Sequence, residues 1–344
     1  SGRDRRAGLP VSALPGPTRV LPNPRADRHR PYGSAERAIL SLAGASEAQR
    51  VISAWPGYRP TPLRSLASLA RELDVAEVLY KDEGERFGLR SFKALGGAYA
   101  VERLARERGS TSLVVASATD GNHGRAVAWG ARRAGCRAVI YIHEGVSEGR
   151  AAAIRALGAE VRREGRHYDE SVRLCADAAK ANGWQVVSDT SWPGYTEVPK
   201  LVMQGYALIA AEADAQGARP THVFVQGGVG GLAAAVTSWL WETMGADRPR
   251  IVVVEPDQAA CLLASAEAGR PAAVTGDLAT IMAGLACGEA SPLAFEILDR
   301  GADAFMSIPD EAAAQMMRRL ALEGVVGGES GVAGLAGLAA AAMD

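Results

Sequence analysis

The chain has 344 residues and a formal net charge of −1, with 38 Lys and Arg against 39 Asp and Glu. That length suits two domains or one large one. The charge balance excludes the basic footprint of a general nucleic-acid binder, and an apolar fraction of 48% excludes wholesale disorder. Four cysteines (Cys136, Cys175, Cys261 and Cys287) stand far apart with no C-x-x-C. This excludes a disulfide framework and a cysteine zinc site, so no metal is expected and a reducing, cytoplasmic setting is.

Residues 1–33 carry six of the 17 prolines and many arginines, the pattern of an extended N-terminal arm, with no apolar segment of a secretory signal. From Ser34 the pattern becomes regular. Ser34 to Ala43 predicts a helix stopped by Gly44. Leu66 to Leu73 reads as a helix, Val78 to Lys81 as a strand, and Ser91 to about Arg106 as a helix capped by Ser91. Leu113 to Ala116 is a strand, Gly124 to Ala134 a helix, and Ala138 to Ile142 a strand. A helix over Glu148–Leu157, a strand over Glu160–Arg162, a helix over Ser171–Ala181 and a strand over Gln185–Val187 follow. Lys200 to Ala215 is a long helix. Val223–Val225 and Ile251–Val254 are strands separated by a glycine loop and a helix, and residues 310–342 are mostly helical. The uncharged run from Pro220 to Trp241 is long enough to span a bilayer, but Gln226 and four glycines break it into strand, loop and helix.

Alternating helices and apolar, β-branched strands predict an α/β architecture with mainly parallel open sheets covered by helices. A compact small domain over 114–192 is expected inside a large domain made of 34–113 and 193–344.

Three clusters carry candidate chemistry. In the first, Ser91-Phe92-Lys93 opens a helix, just before Gly96-Gly97. A lysine at the positive end of a helix either extends into solvent or has a task there. An apolar setting there would lower its pKa and make a nucleophilic amine. In the second, Thr119-Asp120-Gly121-Asn122-His123-Gly124-Arg125 joins a buried strand to a helix, the place where open α/β sheets bind ligands. A capped turn accounts for the same residues, and His123 reads as a structural hydrogen-bonder. In the third, Gln226-Gly227-Gly228-Val229-Gly230-Gly231 follows a strand and opens a helix, so successive N–H groups would cradle a phosphate. The absence of Gly-Lys-Ser/Thr excludes a Walker site. Gly228-x-Gly230-x-x-Ala233 followed by Glu255 mimics a dinucleotide fingerprint.

Together, in this order, the clusters resemble the fold-type II pyridoxal-phosphate enzymes, the tryptophan synthase β-like family. Further stretches resemble its diaminopropionate ammonia-lyases over roughly Trp55 to Ala336: Lys81-Asp82-Glu83 with Arg86-Phe87-Gly88-Leu89, Asp189-Thr190 with Trp192 and Gly194-Tyr195, Met203-Gln204-Gly205-Tyr206, and Thr280 to Leu285. The resemblance implies α,β-elimination of 2,3-diaminopropionate, D or L, to pyruvate and ammonia. It implies Lys93 as the cofactor-holding lysine, and Lys93, Asp120 and Asp189 as catalytic residues. Phe92, Asn122, Gly227, Gly228, Val229, Gly230, Gly231 and Glu329 are implied as further cofactor contacts, and a homodimer as the assembly. Asp189 reads equally well as a helix N-cap. The partner is a small amino-acid substrate, not a membrane or a nucleic acid. Two carboxylates suit a diamino substrate, whose leaving group is cationic; a Ser/Thr dehydratase or a β-replacing synthase would not need them. An NAD-dependent oxidoreductase accounts for the glycine loop alone. A non-catalytic relative is the remaining alternative, because no Ser/Thr glycine loop for the pyridine nitrogen follows Glu329-Ser330-Gly331. The apolar tail Val332–Met343 reads as a core helix, and the chain is expected to stop short of a native end.

Overall fold

The structure, a computed structural model, describes residues 14–119 and 121–343. Its strands in chain order are β1 (Arg19–Pro22), β2 (Leu63–Ser65), β3 (Leu79–Lys81), β4 (Val114–Ala118), β5 (Arg137–Ile142), β6 (Glu160–Arg163), β7 (Gln185–Val186), β8 (His222–Gln226), β9 (Arg250–Pro256) and β10 (Ala304–Ile308). The helices are α1 (Ser34–Arg37), α2 (Leu42–Ser53), α3 (Ala67–Glu72), α4 (Ala94–Arg108), α5 (Asn122–Ala134), α6 (Glu148–Arg155), α7 (Tyr168–Asn182), α8 (Glu197–Ala215), α9 (Gly231–Met244), α10 (Cys261–Ala268), α11 (Pro292–Gly301), α12 (Asp310–Leu322) and α13 (Ala333–Met343).

The chain gathers into two compact units. Of the described residues, the first holds 14–38, 61–82 and 209–343; the second holds 39–60, 83–119 and 121–208. In the first, the sheet order is β1-β10-β9-β8. β10, β9 and β8 run parallel, and β1 closes one edge antiparallel, with Arg19 opposite Ser307. The described part of the arm, residues 14–33, thus forms an edge strand and then stays on the same unit, where Asn23 Nδ2 donates to the Ala302 carbonyl at 2.8 Å and Arg28 pairs with Asp303 at 3.1 Å; residues 1–13 lie outside the described residues. A short antiparallel pair, β2–β3, belongs to the same unit.

The core of this unit is built from α3, α12 and α13 with the faces of β9 and β10, including Val254, Ile308, Met316, Val332 and Ala336. α13 is apolar on nearly every side, and it is covered: a Cβ on Gly334 would lie 2.6 Å from the Phe224 carbonyl oxygen, and one on Gly337 2.6 Å from Val254 Cγ2. Small residues let this helix sit directly on the sheet, as the reading of 332–343 as a core helix requires.

The second unit holds the parallel sheet β6-β5-β4-β7. α7 covers one face, through Cys175 and Ala179 against Val139 and Tyr141. The segment 114–192 does not stand alone, because α4 packs tightly on α5. A Cβ on Gly130 would lie 2.6 Å from Ala98 Cα, and one on Gly97 3.0 Å from Ala126 Cβ. α8 in turn presses on α4: a Cβ on Gly205 would sit only 1.8 Å from the Leu95 carbonyl oxygen. Contacts this close are possible only where both faces are small, since ordinary helix axes stay ~8–10 Å apart.

Several boundaries differ from expectation. The helix expected over 34–43 is two helices, because Ser41 Oγ accepts from the Gly44 N–H and starts α2 afresh. Gly44 therefore lies inside a helix and faces Gln204. β1, β10, α10 and α11 carry no strong local signal and exist through their packing.

Candidate active site

In the second unit, the backbone before α4 is unusual. Phe87 and Arg90 both adopt positive φ, 51° and 54°, a region that costs a non-glycine residue ~1 kcal/mol or more. An aromatic clamp holds the turn: Phe87 stacks on Trp129 at 4.8 Å, and Trp55 meets both rings at 5.6 Å. Ser91 is not the N-cap itself. Its Oγ accepts from the Lys93 N–H at 3.2 Å, and the helix begins at Ala94, so Lys93 sits on the cap rather than within the first turn.

Lys93 does not extend freely into solvent. Its Nζ donates to Asp189 Oδ2 at 2.7 Å, and the two side chains are only 20% and 21% exposed. The ammonium also lies 5.6 Å from the ring centroids of both Phe92 and Tyr206. Asp189 follows β7 and is not an N-cap of a helix. Burial alone would raise its carboxyl pKa. The Lys93 ammonium, charged and hydrogen-bonded to it, outweighs burial and holds the group well below the usual carboxylate range. A carboxylate so firmly ionised is a weak base but a good partner for a cation.

His123, which the sequence reading set aside, belongs to this cluster. Its Nε2 meets the Val187 carbonyl oxygen at 3.0 Å, and its Nδ1 lies 3.9 Å from Asp189 Oδ2. Burial lowers its pKa and favours the neutral ring, with the Asp189 charge opposing the shift and the Lys93 charge adding to it. The structural hydrogen bond is as expected; its proximity to Asp189 could not be read locally. Thr119 is the residue the turn depends on, since its Oγ1 accepts from both Gly121 N–H (3.0 Å) and Gly124 N–H (3.1 Å). Asn122 is the exposed first residue of α5. Asp120 lies outside the described residues.

The first unit carries the glycine loop. Gly227 N–H bonds to the Val254 carbonyl, which leaves the loop hanging off the end of β8. Among the described residues, the N–H groups of Gly228, Val229, Gly230 and Gly231 have no protein acceptor, and they stand at the start of α9, a 14-residue helix. That is the donor set an anionic phosphate needs. The back of the loop is filled: a Cβ on Gly227 would lie 2.6 Å from Leu262 Cδ1 and 3.3 Å from Glu255 Cγ. The left-handed φ, 103°, falls at Gly230. Gly228 is constrained by contact, since a Cβ there would meet the Gly284 carbonyl oxygen at 3.1 Å and Cys287 Sγ at 3.3 Å.

Glu255 does not serve a ribose. It is fully buried, and its carboxyl oxygens accept from the Leu262 N–H (2.7 Å) and the Leu263 N–H (2.8 Å), fastening the start of α10. Burial pushes its pKa up to about 8, partly countered by those two amides. The dinucleotide reading loses its acidic partner. Ser330 Oγ accepts from the Gly284 N–H at 3.0 Å, beside the exposed Glu329. The charged residues of the Lys81–Arg86 stretch are spent on structure: Lys81 pairs with buried Glu212 at 2.8 Å, Asp82 with Arg64 at 2.6 Å, and buried Arg86 binds both oxygens of Glu83 at 2.7 Å. Among the described residues, no group of His, Cys, Asp and Glu could hold a metal ion, and no helix is long and apolar enough to cross a membrane.

An open parallel α/β fold, a lysine paired with a carboxylate, and a glycine loop with free amides define a class of enzyme. The family model of pyridoxal-phosphate-dependent enzymes matches residues 54–344, and the chain belongs to that family. Within it the chain falls among the diaminopropionate ammonia-lyases. It is 43% identical over 302 residues to the Escherichia coli K12 diaminopropionate ammonia-lyase, covering 82% of this chain and 76% of that one. The crystal structure of the holo Escherichia coli enzyme matches with a TM-score of 0.88 at 39% identity, over 96% of this chain and 88% of that chain. A second structure of that enzyme, in complex with an aminoacrylate-PLP azomethine reaction intermediate, matches with a TM-score of 0.86 at 39% identity over the same shares. The free amides of the glycine loop and the Lys93 amine fit the cofactor's phosphate and aldehyde in chemistry.

Proposed function

We propose that the protein eliminates ammonia from 2,3-diaminopropionate, with uptake of water, to give pyruvate and two ammonia. The observation that carries this reading is the half-buried Lys93–Asp189 pair, in a chain 43% identical to an enzyme of that name. Bound pyridoxal phosphate supplies an electron sink for negative charge at the substrate Cα. The glycine loop, Gly227 to Gly231, holds the phosphate through backbone N–H groups. Phe92, Asn122 and Glu329 line the remaining cofactor contacts.

Lys93 carries the cofactor and, once released by substrate, its Nζ moves the α-proton on one face. Asp189, firmly ionised, is better suited to holding a cation than to taking a proton. Its partners in turn are the Lys93 ammonium and the substrate's ammonium, which a serine or threonine β-hydroxyl would not replace. Asp120 is the base for the opposite face. His123 holds the loop after β7 through Val187. The four cysteines are free thiols, which suits the reducing cytoplasm, and a homodimer is the assembly to look for by light scattering.

The decisive experiment follows pyruvate release from D- and L-2,3-diaminopropionate and from D- and L-serine and threonine, in the wild type and in Asp120→Asn. Turnover of diaminopropionate should exceed that of serine or threonine by at least about a hundredfold, the size expected of a buried charged contact. Asp120→Asn should lower turnover of one enantiomer ~100-fold more than that of the other, within the range of a lost general base. Faster turnover of serine or threonine would replace this reading with a dehydratase. Equal losses for D and L would remove Asp120 as a base.

A further inference from the structure

The stretch Met203-Gln204-Gly205-Tyr206 is left unused by the reading above, yet it places a phenol beside Lys93. Tyr206 lies on α8 and is 1% exposed. Its ring meets Phe92 edge-on at 4.9 Å, and the Lys93 ammonium stands 5.6 Å from its centroid. The ring cannot swing away, because a Cβ on Gly96 would already lie 2.5 Å from Tyr206 Cε1. Its hydroxyl is buried and, among the described residues, makes no hydrogen bond of good geometry, with the Lys93 nitrogen its near neighbour. A buried hydroxyl without such a bond carries a desolvation cost that phenylalanine would avoid. Burial and the negative Asp189 raise the phenol pKa, and Lys93 opposes them, so the hydroxyl stays protonated and its oxygen is free to accept.

Resting on the reading of Lys93 as the cofactor-holding lysine, we infer that Tyr206 is a positioning residue for the Lys93 nitrogen. Its hydroxyl oxygen accepts a hydrogen bond from that nitrogen when the nitrogen leaves Asp189. Among the described residues, the titratable groups that face the Lys93 nitrogen include Asp189 from the segment after β7, His123 from α5 and Tyr206 from α8. Asp189 and Tyr206 then favour the protonated nitrogen from two sides, and neutral His123 contributes no charge. When Asp189 is engaged by a substrate ammonium, Tyr206 is the contact that keeps the amine in place.

The test compares Tyr206→Phe with wild type as the cofactor-loaded full chain. Phenylalanine keeps the ring against Gly96 and Phe92 and deletes only the hydroxyl. Borohydride reduction with peptide mapping should place the pyridoxyl label on Lys93 in both proteins. The pH midpoint of the bound cofactor's visible band should fall by about one unit in the variant, the size of a hydrogen bond to a charged group. kcat should fall about tenfold with KM within about twofold. The urea midpoint should be unchanged or higher, because the deleted hydroxyl makes no hydrogen bond of good geometry among the described residues. A pH midpoint that falls by less than about half a unit, with Lys93 still labelled, overturns the role of Tyr206 and leaves that of Lys93 intact. A label on another lysine in the wild type overturns the reading of Lys93, and this proposal with it. A lowered urea midpoint with unmoved spectrum would make Tyr206 merely structural.

Discussion

The glycine loop and the lysine cluster draw on opposite kinds of atoms. The loop at 227–231 offers backbone N–H groups, and the side chains around it, Leu262, Val253 and buried Glu255, only shape and brace it from behind. The cluster around Lys93 offers side-chain charges, and the backbone around it, strained at Phe87 and Arg90, only aims them. The loop's donors are neighbours in sequence. Lys93 and Asp189 are 96 residues apart, and α4, α5 and the sheet β6-β5-β4-β7 must fold before they meet. A backbone site should therefore tolerate conservative side-chain changes nearby and fail when it is crowded, whereas a charge cluster should tolerate crowding and fail when one charge is lost.

The contrast is broken most severely at Lys93. Lys93→Ala should abolish the visible band of the bound cofactor and lower pyruvate release by about a thousandfold or more, while the loop still binds free phosphate. It also leaves Asp189 without its ammonium, so an absorption spectrum recorded with an unfolding curve separates lost chemistry from lost fold. A retained visible band would move the attachment point elsewhere.

Crowding the loop should have an intermediate effect. In Gly228→Val the added atoms meet the Gly284 carbonyl and Cys287 Sγ, an overpacking of ~1–3 kcal/mol that corresponds to roughly ten- to a hundredfold weaker cofactor binding. Absorbance titration with pyridoxal phosphate measures this. At saturating cofactor the Lys93 label should return, because the cluster itself is untouched. Unchanged affinity would mean that the phosphate does not rest on this loop.

The smallest effect concerns the brace behind the loop. The folded-state pKa of Glu255 is raised to about 8 from its usual 4.5, so the folded chain holds a proton that the unfolded chain has already lost. This stabilising contribution is complete below about pH 4.5 and is lost as the pH rises through about 8. Urea unfolding at about pH 5 and about pH 8.5 should show wild type losing stability with rising pH by up to a few kcal/mol. Glu255→Gln, which cannot ionise, should flatten that slope. A slope unaffected by the substitution would show that Glu255 is not its source.

Local pattern carried a reader a long way along this chain. Alternation of apolar strands with amphipathic helices is a short-range property, and the parallel sheets appear where it predicts. The glycine loop was legible because consecutive residues make it. Ser91-Phe92-Lys93 was legible because a lysine at a helix start is electrostatically odd. Other elements depend on distant partners. β1 is a strand because β10 offers it an edge, and α2 begins at Ser41 because that hydroxyl captures the Gly44 amide. Glu255 matched a fingerprint by spacing, and only the position of α10 turned it into a cap.

The amino-acid order by itself determined the α/β class, the cradle of backbone amides and the choice of Lys93 as the unusual cation, because each depends on residues within a turn or two of one another. Tertiary structure decided which carboxylate meets that cation, that His123 and Tyr206 join it, and that the lysine sits on the cap of α4. These are contacts between side chains far apart in sequence. They form only when the glycines at 96, 97, 130 and 205 let three helices approach closely enough to bring charge beside charge.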